Sequence, residues 1–111
     1  MTVKDLSDTF NFRILSELFE PEREISGGYT GDLLSDVIAN SKKDNVWITM
    51  QTHLNIVAVA NLKELSAIII VMGREADKDT IDKAKEEKIT LLGTSLNAFQ
   101  ISAKIFESGI K

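Results

Sequence analysis

Four short clusters hold most of the side chains in this chain that could bind a ligand or move a proton, and each closes a Val/Ile-rich run. They are Gly27-Gly28-Tyr29-Thr30-Gly31-Asp32, Thr49-Met50-Gln51-Thr52-His53, Met72-Gly73-Arg74 and Gly93-Thr94-Ser95. Asp32 suits a ligand hydroxyl or a cation, and it equally suits the cap of the helix that follows, a role worth about 1 kcal/mol. Thr52 reads in the same two ways. His53 can contact a phosphate or the edge of an adenine, or serve a structural contact. Arg74 can clamp a carboxylate or phosphate with two parallel N–H bonds, or pair with the nearby Glu75 or Asp77. Thr94 and Ser95 form a hydroxyl pair that fits a ligand or a helix start. Gly27, Gly28 and Gly31 permit a backbone turn with outward N–H groups, the geometry of an anion nest.

Neither the G-x-G-x-x-G dinucleotide fingerprint nor the G-x-x-x-x-G-K-[ST] phosphate loop is present. An enzyme using His53 with Asp32 as acid and base lacks a nucleophile and a cofactor signature. No catalytic residue is therefore assigned. The expected ligand-binding set is Thr30, Gly31, Asp32, Thr52, His53, Gly73, Arg74, Thr94 and Ser95.

The elements that must position these residues follow from periodicity. Thr2 caps an opening helix to Phe10, with Asp5 three residues on and Val3, Leu6 and Phe10 on one stripe. A strand over Phe12–Ser16 follows. Glu20-Pro21-Glu22-Arg23-Glu24 is a polar loop before a strand at Ile25–Tyr29. Leu33, Leu34, Val37 and Ile38 mark a helix whose N-cap position falls on Asp32 and which ends near Asn40. Val46–Met50 and Ala67–Met72 are apolar without alternation, as strands covered on both faces are.

Parallel strands need a crossover of a dozen residues or more, so Leu54–Leu65 is assigned to a helix despite its β-branched content. That helix is apolar nearly all round. Its residues Leu54, Val57, Val59 and Leu62 are the expected surface of a homodimer, unless other helices of the same chain cover them. Asp77–Lys88 is a charged surface helix capped by Asp77, Ile89–Leu92 is the last strand, and Ser95 opens a final helix. Leu96, Phe99, Ala103 and Phe106 are its expected sheet-facing stripe, and Gly109 ends it. The architecture expected is one α/β domain over residues 1–111, with a mostly parallel central sheet and helices on both faces. Its strand exits then share one rim.

Composition removes several chemistries. There is no cysteine, so disulfides, Cys-ligated metals and thiol catalysis are excluded, and one histidine makes no His-based metal site. No metal and no cofactor are expected. A formal net charge of −4, with three dispersed arginines, argues against nucleic acid as a partner. No apolar run approaches the roughly 20 residues that span a bilayer, and Met1–Phe10 lacks the apolar centre of a signal peptide. No membrane partner and a cytoplasmic location are the expectations.

The ordered set of motifs resembles the DRTGG domain family over almost the entire chain. It is carried by Arg23-Glu24-Ile25-Ser26-Gly27-Gly28-Tyr29-Thr30-Gly31-Asp32, by Trp47-Ile48-Thr49-Met50-Gln51-Thr52-His53, and by Ile68-Ile69-Ile70-Val71-Met72-Gly73 leading to Ile89-Thr90-Leu91-Leu92-Gly93-Thr94. The chain departs from the family name in having Glu22 before Arg23 and Arg74 after Gly73. The resemblance implies an α/β domain similar to the N-terminal domain of HPr kinase/phosphorylase and of Mur ligases. Such domains accompany CBS modules and are regarded as regulatory, without established catalysis, so no kinase activity is expected. Two functions stay open: a regulatory domain that binds a small anionic metabolite, such as an adenine nucleotide, at the carboxyl ends of its strands, or an interaction scaffold. The scaffold would be a homodimer or a docking subunit for a metabolic enzyme such as a hydrogenase complex.

Overall fold

In the computed structural model, which describes residues 1–111, side-chain alternation along the strands sorts the apolar residues into two cores on opposite faces of one sheet. The elements run α1 (Val3–Phe10), β1 (Arg13–Ile14), β2 (Gly27–Thr30), α2 (Leu34–Asn40), β3 (Asn45–Thr49), α3 (Asn55–Lys63), β4 (Ala67–Ile70), α4 (Lys78–Glu86), β5 (Leu91–Gly93) and α5 (Ala98–Glu107). The sheet order is β1-β5-β4-β3-β2. β2 to β5 are parallel, and β1 lies antiparallel on β5 with Arg13 opposite Gly93.

β3 and β4 are buried along their whole length, which is why they read as continuous apolar runs. Val46, Ile48, Ala67, Ile69 and Leu92 face α1 and α5, where Val3, Leu6, Ile101 and Ile105 complete one core. Trp47, Ile68, Ile70 and Leu91 face the other way, toward Val37, Ile56, Val57, Val59, Ala60 and Ala84 of α2, α3 and α4. All three crossovers thus lie on one face, with α1 and α5 on the other. No helix is long and apolar enough to cross a membrane.

The capping box at Thr2 is present in both directions, Asp5 N–H to Thr2 Oγ1 at 3.1 Å and Thr2 N–H to Asp5 Oδ2 at 3.0 Å. The strand expected over Phe12–Ser16 is regular only at Arg13–Ile14, but Ser16 prolongs the pairing, donating to Ile89 O at 2.8 Å and accepting from Leu91 N–H at 2.8 Å.

Several expectations fail on packing grounds. The helix at Leu54–Leu65 forms as α3, but Val57 and Val59 are buried by the chain's own α2 and α4 side chains, leaving only Leu54 and Leu62 of the expected interface in solvent. On α2, only Val37 of the expected stripe is buried, and Leu33 is exposed. On α5 the expected stripe is the outer one. Phe99 is 84% exposed and Phe106 57%, because the aliphatic pair Ile101 and Ile105 takes the sheet-facing side.

Candidate ligand-binding rim

The parallel register brings the exits of β2, β3, β4 and β5 to one end of the sheet, as expected. Hydrogen bonds then divide the candidate residues into those already engaged and those that are free. At the β2 exit, Gly31 donates its N–H to Ile48 O at 3.1 Å and its carbonyl accepts the Trp47 indole N–H at 2.9 Å. No anion nest remains there. Asp32 does not cap α2, whose N-cap position is Leu33 with no side-chain bond. Its carboxylate instead accepts the Thr49 hydroxyl and the Met50 N–H, both at 2.8 Å, and so ties the β2 exit to the β3 exit.

Thr30 points elsewhere. Its hydroxyl meets that of Ser102 on α5 at 2.8 Å, on the α5 face of the sheet. Thr52 does not cap α3, which begins at N-cap Leu54; its carbonyl accepts the Asp77 N–H at 3.3 Å and the Thr80 hydroxyl at 2.9 Å. Asp77 holds the N-cap position of α4 without a capping bond, and its carboxylate goes to His53 Nδ1 at 2.9 Å. Both side chains are exposed, 76% for His53 and 47% for Asp77. This pair replaces the His53–Asp32 pair that an acid–base reading would need. No group of three His, Asp or Glu side chains is placed to hold a metal ion.

The β4 and β5 exits differ from the others. α4 leaves to one face and α5 to the other, and in α/β sheets that divergence opens a crevice at the strand ends. Met72 and Gly73 both take positive φ, 61° and 63°, and Arg74 N–H returns to Val71 O at 3.2 Å. This is the signature of a type I′ turn, which Gly accepts freely and Met does not. The turn sends Met72 N–H to Leu96 O and Gly73 N–H to Thr94 O, each at 2.8 Å, closing the crevice floor. The Gly73 N–H is therefore also engaged.

What stays free is cationic. The chain's ion pairs use Arg23, His53, lysines and the N-terminus, so neither Arg13 nor Arg74 has an acidic partner. The salt bridge from Arg74 to Glu75 or Asp77 does not form. Arg13 sits opposite Gly93 in the strand register and lines a cavity of about 280 Å³ with Asn11, Thr94, Ser95, Phe10 and Leu96. Ser95 is exposed and does not cap α5; Asn97 does, in a reciprocal box with Gln100. The amino end of α5 adds its positive dipole beside this cavity. Sequence reasoning missed Arg13 because it lies inside a strand, and only the antiparallel register carries it to the β5 exit.

A larger concavity, about 550 Å³, opens at the opposite end of the sheet. It is occupied by structural bonding centred on Arg23, which donates from Nε to Asp44 Oδ1 at 2.8 Å, from one terminal nitrogen to Glu64 O at 2.6 Å, and from the other to Glu20 Oε2 at 3.3 Å. Arg23 thus rivets three loops, with all three of its guanidinium nitrogens engaged in structural bonds. Next to the rim, Tyr29 donates its hydroxyl to Asp36, and that bond raises the Tyr29 pKa above its ordinary value.

No protein-family model and no curated protein matches the chain. Among solved structures, it is similar to the CBS and DRTGG domains of the regulatory region of a pyrophosphatase from Clostridium perfringens, a structure in complex with the activator diadenosine tetraphosphate. The identity is 19% with a TM-score of 0.74, covering 96% of this chain and 46% of that one. The chain therefore spans about half the length of that neighbour, and the likeness establishes a DRTGG-like fold.

Proposed function

We propose that this chain is a non-catalytic regulatory domain that senses a small anionic metabolite at the β4–β5 exit, with an adenine nucleotide or related phosphate ester as the ligand class. The observation that carries the reading is a pair of arginines without acidic partners at neighbouring strand exits: Arg13, which lines the cavity with Thr94 and Ser95, and Arg74, on the β4 turn whose Gly73 N–H bonds to Thr94 O. A guanidinium presents donors that match phosphate oxygens two at a time. Thr94 and Ser95 share the Arg13 cavity, and α5 starts just beyond them. The similar pyrophosphatase region is regulatory and was solved with a nucleotide activator, which supports a nucleotide as the ligand. Asp32, Thr52 and Gly31 act in this reading as the frame that holds the exits in register, and they do not touch the ligand.

A thermal-shift screen of mono-, di- and dinucleotides against the intact chain tests it. At 100 times its Kd a ligand stabilises the folded state by about 2.7 kcal/mol, a rise in Tm on the order of ten degrees for a domain of this size. The Arg13→Gln, Arg74→Gln double variant should keep its own Tm and lose the ligand-induced rise. The reading fails if no phosphorylated ligand moves the Tm, or if the double variant responds as fully as the parent chain.

A further inference from the structure

The geometry points to the outer face of α5 as a homodimer surface, with a second copy of this chain packed antiparallel across Ser102 and Ala103. This face is the largest apolar opening on the molecule, a groove of about 580 Å³ lined by Thr30, Ala98, Phe99, Ser102, Ala103 and Phe106. Phe99, Ser102, Ala103 and Phe106 fall at i, i+3, i+4 and i+7, a second helical stripe distinct from the Ile101 and Ile105 stripe that binds the sheet. A helix with two apolar stripes has two surfaces to cover, and the chain covers one.

The occupant is specified by the order of residues along the stripe. Two small side chains sit between two large ones, so a twofold axis through Ser102 and Ala103 lets the helix backbones approach closely. It also sets Phe99 of each copy against the other copy's Phe106. The surface is its own complement. Charge agrees with this. Glu107 lies at the carboxyl end of α5, where its own helix dipole disfavours it, and the antiparallel arrangement moves it beside Ala98 at the positive amino end of the second helix.

Area agrees as well. At roughly 200 Å² of surface per Phe, the 84% and 57% exposure of Phe99 and Phe106 leaves about 280 Å² open in each copy. Two copies supply about 560 Å² from four rings, more than a quarter of the roughly 1,200–2,000 Å² that a specific interface buries. The neighbouring Ala98, Ala103, Thr30 and Glu107 surface extends it. The free edge of β2, by contrast, is bordered by Lys42, Lys43 and Lys111, and lysines along an edge oppose strand-to-strand joining. The helix face, not the sheet edge, is where two copies meet.

Light scattering coupled to size exclusion on the intact chain at micromolar concentration reads the result directly. The parent chain should run at twice its 12.3 kDa mass, and the Phe99→Glu, Phe106→Glu variant at the single mass with unchanged Tm at low concentration. Because the chain is free of cysteine, Ala103→Cys should crosslink near-quantitatively under mild oxidation, whereas Leu62→Cys on the expected α3 surface should not. A monomeric parent chain overturns the proposal and leaves the face to a different domain or protein. A dimer that survives both Phe substitutions, or crosslinking at Leu62→Cys in place of Ala103→Cys, overturns it too.

Discussion

Removing the Asp32 carboxylate separates a structural latch from a ligand contact, because the two roles predict different costs in the absence of any ligand. In the structure one carboxylate oxygen accepts both the Thr49 hydroxyl and the Met50 N–H at 2.8 Å. Thr49 is 1% exposed, so Asp32→Ala removes the only acceptor of its hydroxyl proton, while the hydroxyl oxygen still accepts the Gln51 N–H at 3.2 Å. An orphaned buried donor costs about 1–3 kcal/mol, and the more accessible Met50 N–H adds less because water replaces its partner. The expected loss is about 2 kcal/mol, or a fall in Tm of roughly 8 °C. Asp32→Asn keeps an acceptor oxygen and should recover more than half of that. Urea unfolding followed by the emission of Trp47, fully buried and the only tryptophan, measures both variants. A loss below about 0.5 kcal/mol for Asp32→Ala, the range of an ordinary surface change, would refute the latch and return Asp32 to the ligand-binding set.

Two further outcomes are expected. Lys88 has φ 59° at the turn into β5 and makes no side-chain ion pair. Lys88→Gly should therefore stabilise the chain by up to about 1 kcal/mol, since a side chain in the left-handed region costs more than the glycine's extra unfolded freedom; a lower urea midpoint would contradict this. The bond from Tyr29 to Asp36 raises the Tyr29 pKa from 10.0, so its contribution is intact below pH 10 and is lost as pH climbs through the raised value. Lys4, bonded to Asp8, and Lys83, bonded to Glu87, are shifted in the same direction from 10.5. Tyr29→Phe should accordingly flatten part of the alkaline fall in the urea midpoint and leave the remainder. An identical alkaline limb in the variant would rule the bond out as a contributor.

How much of this was legible in the letters differs by element. The β3 and β4 strands announce themselves because burial on both faces suppresses alternation, and Thr2 with Asp5 announces α1 because both halves of the capping box lie within four residues. α5 misled because it carries two apolar stripes. Phe99, Ala103 and Phe106 make the more conspicuous one, yet Ile101 and Ile105 fit between the strand side chains Ile48, Ile69 and Leu92. Periodicity reports that a stripe exists and is silent on which surface receives it. For α3 the same ambiguity ran the other way: an all-round apolar helix suggested a second chain, and α2 and α4 of the same chain supplied the cover.

Site residues obey a stricter logic. A polar side chain at a strand exit is available to a ligand only if the fold has not already used it, and its users lie far away in sequence. Asp32 is taken by Thr49 and Met50, His53 by Asp77, and Gly73 by Thr94, partners 17 to 24 residues apart. Each was a sound candidate by residue type and each is engaged by geometry. Arg13 is the converse case, unremarkable inside a two-residue strand until antiparallel pairing with β5 carries it to the rim. A cap brings its own partners, whereas a binding site holds charges that the fold leaves unmatched. By that criterion Arg13 and Arg74, the two arginines the fold leaves without acidic partners, are the residues on which the proposed recognition rests.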